Sequence, residues 1–298
     1  MNFVGELAAL ATSFFFALTA FIFTAAGRMV GSQVTNRMRL IFALFYLIIL
    51  NVILFREPLP FSAGVSRWFW LSLSGVIGLS LGDVFFFQSL ISVGPRIGSL
   101  LLSLAPIFGS IIAWISFGER LTVLQITGIV LALTGIAWVV MSHKEPPNTL
   151  HGHTRHGVIF GVLAGLCQAV GLVLSKQGMF GDFPPFQANA IRMLAAVIFI
   201  WAWTAFDGKI NATFTALREK PPVIRLLALG AFVGPVLGVT SSLLAVQHAE
   251  IGVASTLMAL PPIIILPISY FLFKEKIGWQ AIVGTLLAIA GVAILFLS

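Results

Sequence analysis

A single carboxylate, Asp83, lies inside the apolar stretch GLSLGDVFFFQSL, residues 78–90 of a 298-residue chain. An acid in such surroundings has two useful chemistries: carrying a proton, or holding the ammonium of a solute. Asp at the centre of a spanning helix costs about 2.5–3.5 kcal/mol, so it is expected to face a wet cavity or a partner rather than lipid. The structural alternative is a neutral carboxyl that caps a freed backbone group or bonds Gln88. Phe87 and Gln88 follow on the same stretch as candidate contacts. Thr240 and Ser241, beside Pro235, offer hydroxyls that either meet a solute or bond back to their own helix. Pro106 and Pro262 each remove a backbone bond and free the carbonyl four residues earlier, those of Leu102 and Met258. At membrane depth such carbonyls line a cavity or are rebonded by neighbours, and a simple packing kink is the other reading. Among the bases, Arg39 and Arg192 stand near helix starts, where a positive charge opposes the helix dipole. Contact with lipid phosphate at the interface is the expected compensation, a solute or a gate acid the alternative. Lys176 is expected to be interfacial as well.

Other chemistries find little to build on. His151, His153 and His156 lie in a polar segment without acids or cysteines at ligand spacing, so no metal centre is expected. Cys167 is the one cysteine, in an apolar run, and reads as packing. No glycine motif that cradles phosphate is present and no cofactor is implied. An enzyme would be expected to cluster His, Asp, Glu or Cys within the spans, and this chain has one clear midplane acid. The net charge of +7 falls in short segments between spans, where anionic headgroups account for it, and nucleic acid is not an expected partner.

These side chains must be positioned by membrane helices. The chain is 59% hydrophobic and 9% charged, against roughly 25% charged in soluble domains. Spans of the required length are expected at Leu7–Ala26, Leu40–Phe55, Trp68–Val93, Ile97–Gly118, Leu121–Ser142, Gly157–Ser175, Met193–Phe206, Leu226–Gln247, Ile251–Phe273 and Ile277–Ser298, ten in all. The first run exceeds a signal peptide's apolar core and lacks basic residues before it, so it is expected to stay as a helix.

The ten are two copies of five. A shift of 156 residues aligns positions 94–140 with 250–296, with 14 identities in 47, and a shift of 153 brings Asn36, Arg39 and Ala43 onto Asn189, Arg192 and Ala196. The expected units are residues 1–141, a polar linker 142–156, and residues 157–298. Five is odd, so the second copy enters the membrane from the opposite side, giving inverted repeats about an axis in the membrane plane. Gly128, Ala132 and Gly135 recur as Gly284, Ala288 and Gly291, small faces for close helix contact expected to pack within each repeat rather than in a dimer. Glu119–Arg120 and Glu275–Lys276 are expected to cap the helices that follow them. The acids are not duplicated: Val239 matches Asp83 and Val162 matches Glu6. Asymmetric polar groups suit an asymmetric ligand, although Glu6 at a helix start also complements the dipole.

The segments GSLLLSLAPIFGSIIAWISFGERLTVLQITGIVLALTGIAWVV and ASTLMALPPIIILPISYFLFKEKIGWQAIVGTLLAIAGVAILF resemble the fourth and fifth helices of the two EamA repeats of the drug/metabolite transporter superfamily. The resemblance implies an all-α integral membrane carrier of ten helices, commonly an exporter of amino acids or other small metabolites, with a cavity lined by helices 1, 3, 4, 6, 8 and 9. The expected activity is secondary transport by alternating access, with protons as a candidate coupling ion; a flippase-like lipid-handling protein or a membrane enzyme is the alternative. Partners are a small-molecule solute and membrane lipids, and a homodimer and a monomer are both compatible with the sequence. Orientation divides the two warrants. Twelve Lys and Arg fall on the side away from the termini and five on the other, which places the termini outside the cytoplasm, whereas the resemblance implies termini inside.

Overall fold

The computed structural model describes residues 3–142, 154–265 and 278–297. The first half comprises α1 (Val4–Val30), α2 (Ser32–Phe55), α3 (Val65–Ser74), α4 (Gly82–Leu102), α5 (Ala105–Phe117) and α6 (Val123–Ser142). The second comprises α7 (Thr154–Gly178), α8 (Pro185–Phe206), α9 (Ile210–Glu219), α10 (Val223–Ala231), α11 (Val239–His248), α12 (Ile251–Met258) and α13 (Trp279–Leu297). Among the described residues eight helices are long and apolar enough to cross a bilayer, and two shorter apolar helices, Ala105–Phe117 and Ile251–Ile265, occupy the fourth place of each half. The protein is a multi-pass membrane protein. Of the ten spans expected, eight helices among the described residues have spanning length.

The fourth elements are short because of their prolines. α4 ends at Leu102 and α12 at Met258, each followed by a two-residue break before the helix resumes. Pro106 is the second residue of α5, and Pro262 the second of the helical residues 261–265. Proline is tolerated in a first turn because its missing N–H has no partner there anyway. The two prolines therefore start new helices; they do not bend continuous ones.

The third element of each half holds a second irregularity. Gly75–Leu81 joins α3 to α4 as a π-helix, and Phe232–Gly238 joins α10 to α11 in the same way. Glycines recur along both, at 78 and 82 and again at 234 and 238. A methyl at Gly78 would stand 3.3 Å from the Cα of Gly171 in α7, and one at Gly234 would stand 2.9 Å from the Thr19 side chain in α1. The first helix of each half therefore lies in the glycine groove of the other half's third element.

Among the described residues the largest seams run between halves: α1 against α10, α11 and α12, α7 against α3, α4 and α5, α2 against α8, and α6 against α13. Along the last seam Gly128 meets Gly291 and Gly135 meets Gly284, so numbers rise on one helix as they fall on the other. The pair is antiparallel, as inverted repeats require. This corrects the expectation that the small faces pack within each repeat. A small-residue stripe identifies a face, and the partner is chosen by the fold. Leu40, Ala43 and Leu47 close the α2–α8 seam against Ala190, Met193, Ala196 and Ile200.

Candidate functional site

Arg39 is the eighth residue of α2 and Arg192 the eighth of α8, each about 10 Å along its helix at 1.5 Å per residue. α2 begins where α1 ends, whereas α8 begins beside the end of α11, with Gln247 Nε2 donating to the Phe183 carbonyl at 3.2 Å. That end of α11 is also where α1 starts, since a methyl at Gly5 would lie 2.7 Å from Ala249 Cβ. The two arginines therefore sit toward opposite ends of the bundle, as the pseudo-twofold axis demands.

The Arg39 guanidinium has three partners. Nη2 forms an ion pair with Asp83 Oδ2, Nε donates to Asn36 Oδ1 at 2.8 Å, and the group lies 5.6 Å from the Phe23 ring centre. The pair is partly buried, with side chains 17% and 23% exposed. Asp83 thus meets Arg39 and not Gln88, which is exposed. Five residues of α-helix turn a side chain about 140° away, so Asp83 and Gln88 face different directions. Phe87 is half-buried, 6.1 Å from Phe86 between ring centres.

Arg192 is placed otherwise. It is 3% exposed, inside the protein and not at a lipid interface. Its backbone touches the π segment so closely that a methyl at Gly75 would fall 2.2 Å from its carbonyl oxygen. Nε and Nη1 are buried without a hydrogen-bond partner among the described residues. The place of an acid is taken by buried Val239. Asn189, the counterpart of Asn36, donates instead to the Pro235 carbonyl and to Thr240 Oγ1, both at 2.9 Å. Thr240 is buried, Ser241 half-buried, and Ser242 bonds back to the Val239 carbonyl at 2.7 Å.

Lys176 closes the end of the bundle where α1 starts. Its Nζ bonds Glu119 Oε1 at 2.6 Å and the Ala249 carbonyl at 2.9 Å, and Glu119 Oε2 accepts the Ile251 N–H at 3.0 Å. Glu119 therefore caps α12 of the other half. The helix that follows it, α6, is capped by a reciprocal Thr122–Gln125 box, a T-x-x-Q signature the sequence reading passed over. Gln125 also donates to Glu250 at 2.6 Å. Burial and the nearby Glu119 push the Glu250 carboxyl above its ordinary range. These contacts hold the break after His248, where Ala249 is extended. The matching stretch of the first half runs helical to Leu102. There Ala20 stands where Lys176 does, so that clasp is missing, and the expected break after Val93 does not form. Glu275–Lys276, His151 and His153 lie outside the described residues.

Near the prolines, Ser13 of α1, fully buried, donates its hydroxyl to the Leu257 carbonyl. Leu257 is four residues before Pro261, whose ring cannot return that bond. A cavity of about 380 Å³ opens beside Gly64, Arg67, Gln177 and Phe180, and none of the expected site residues lines it. No group of three metal-ligating side chains occurs among the described residues.

Known proteins are similar to this chain. The "Probable terminal-alkyne amino-acid exporter" of Streptantibioticus cattleyicolor is 25% identical over 230 residues, covering 76% of this chain and 72% of that protein. The "Probable 4-amino-4-deoxy-L-arabinose-phosphoundecaprenol flippase subunit ArnE" of Pseudomonas paraeruginosa is 35% identical over 95 residues, 32% of this chain and 74% of its own length. A crystal structure of another protein, 16% identical, superposes with a TM-score of 0.72 over 100% of this chain and 98% of its own, which shows a common fold. The EamA-like transporter family matches over residues 3–141 and again over 155–297, and the chain belongs to that family.

Proposed function

We propose that this family member is a secondary transporter that exports a small organic metabolite of the amino-acid kind by alternating access, with the Arg39–Asp83 pair as its coupling gate. The observation that carries the reading is the pair itself: an ion pair within a membrane helix bundle, present in one of two otherwise matched halves. Rocking one half against the other exposes a central site to each side in turn, and protonation of Asp83 dissolves the pair and releases Arg39 from α4. Each unit of charge moved supplies about 2.3 kcal/mol per 100 mV. The test is uptake by inverted vesicles under an imposed pH gradient. Asp83→Asn, shown to be folded, is expected to lose gradient-driven uptake and keep exchange across equal pH. Undiminished gradient-driven uptake by that variant removes Asp83 from coupling.

A second reading, handling of a lipid-linked sugar, draws on the 35% identity with the flippase subunit. It predicts scrambling of a labelled lipid-linked aminosugar in the same vesicles and no movement of free amino acids.

A further inference from the structure

We infer that Arg192 is an anion-binding residue and that its guanidinium takes the carboxylate of the transported solute. The inference rests on the transporter reading and adds a chemical class to it.

The first half shows what this fold supplies when an arginine at that register is to be neutralised from within. Arg39 has an acid from the third helix, an amide from its own helix and an aromatic ring from α1. Among the described residues Arg192 has none of the three. Valine fills the acid's position, and Asn189 is turned toward Pro235 and Thr240. Two of its nitrogens are buried without partners. A lone buried charge in a spanning helix is among the costliest features such a protein can keep. It persists where a partner arrives from outside, and a resident acid would compete with that partner.

The surroundings fit an arriving anion. A methyl at Gly78 would stand 3.5 Å from Arg192 Nη2 and 3.3 Å from Gly171 Cα. The guanidinium therefore borders the seam between the π segment and α7, which closes backbone to backbone at Gly78 and Gly171, so a carboxylate reaches it as the two halves part. Just beyond, the Ser74 and Ser175 hydroxyls both bond the Gly171 carbonyl at 2.6 Å. Among the described residues no acid forms an ion pair with Arg192. A solute carboxylate meets a guanidinium through paired charge-assisted hydrogen bonds; an ammonium would be repelled, and a neutral amide would leave the charge uncompensated.

The test uses the purified full-length protein and a panel of neutral L-amino acids, each presented beside its amide and its decarboxylated amine, with thermal stabilisation as the readout. At least one carboxylate is expected to stabilise the wild type at a concentration tenfold or more below its amide and amine. Arg192→Gln is expected to lose that tenfold preference, while Arg192→Lys, which keeps the charge without the planar fork, keeps part of it. If Arg192→Gln does not fold, the acid-to-amide ratio of Arg192→Lys against wild type decides. A panel in which no carboxylate binds, or in which the preference survives in both variants, overturns the inference. In that case vesicles that still move amines, amides or sugars leave the transporter reading standing, and vesicles that move no solute of any class overturn both.

Discussion

Arg39 and Arg192 occupy the same step of the same helix in two copies of one design, yet one is paired with an acid and an amide and the other has two buried nitrogens without partners among the described residues. The difference teaches that duplication preserves the scaffold while freeing the polar groups to diverge. The small-residue faces of α6 and α13, the glycine grooves and the proline breaks appear in both halves, since each packs a neighbour that is itself duplicated. Asp83, Ser13 and Lys176 appear in one half only, their counterparts being Val239, Ala169 and Ala20.

The comparison breaks most severely at Gly75. Its counterpart Ala231 carries a methyl and is fully buried, whereas a methyl at Gly75 would stand 2.2 Å from the Arg192 carbonyl oxygen and 2.8 Å from its carbon. Backbone cannot step aside as a side chain tip can. Gly75→Ala is expected to separate α8 from the π segment at a cost of about 3 kcal/mol, at the upper end for overpacking, read as a fall in the unfolding midpoint in detergent. Next in size is Asp83→Asn, which makes the first half resemble the second by leaving Arg39 without an acid. Losing one partner of a fully buried pair costs about 3–5 kcal/mol, and the partial exposure here reduces the expectation to about 2 kcal/mol. Double substitution with Arg39→Gln should recover part of that loss, and a strictly additive result would show that the two groups do not interact.

A smaller effect is expected at Ser13, whose hydroxyl serves the Leu257 carbonyl. Ser13→Ala copies what the second half already has at Ala169. It should cost about 1 kcal/mol, the ordinary worth of a buried hydrogen bond, and introducing Ser at Ala169 should give no matching gain. Equal and opposite changes at the two positions in thermal unfolding would contradict this asymmetry.

Much of the scaffold was legible because its signals are local or repeated. Long apolar runs mark the spans, and the duplicated Pro, acid-base and Gly spacing marks the halves. What a sequence does not encode locally is partner choice. The glycine faces of α6 and α13 were visible, but their pairing across the halves depends on how the halves dock. Arg39 and Asp83 each stood out, 44 residues apart in sequence, and nothing in their spacing joined them. The π segments leave only a faint trace in the spaced glycines. Arg192 is expected at the interface because a helix start is usually wet, whereas α8 begins at a covered end of the bundle.

The subtlest contrast concerns the two ends of the bundle. At the end where α1 starts, Lys176, Glu119, Gln125 and Glu250 tie α5–α6 of one half to α7 and α11–α12 of the other. Glu250 feels burial first, then Glu119 and Glu6, all raising its carboxyl, against the Gln125 hydrogen bond and Lys176, which lower it. An acid raised by folding holds more protons in the folded state than in the unfolded one, so stability falls as pH climbs from the ordinary carboxylate range through the raised value. Glu250→Gln keeps a side chain that can bond Gln125 and removes the titration. The variant should therefore match the wild type in acid and exceed it slightly near neutrality, and the wild type's decline in unfolding midpoint over that interval should flatten. A decline of unchanged slope would show that the pH dependence does not come from Glu250 and leave its contact as packing alone.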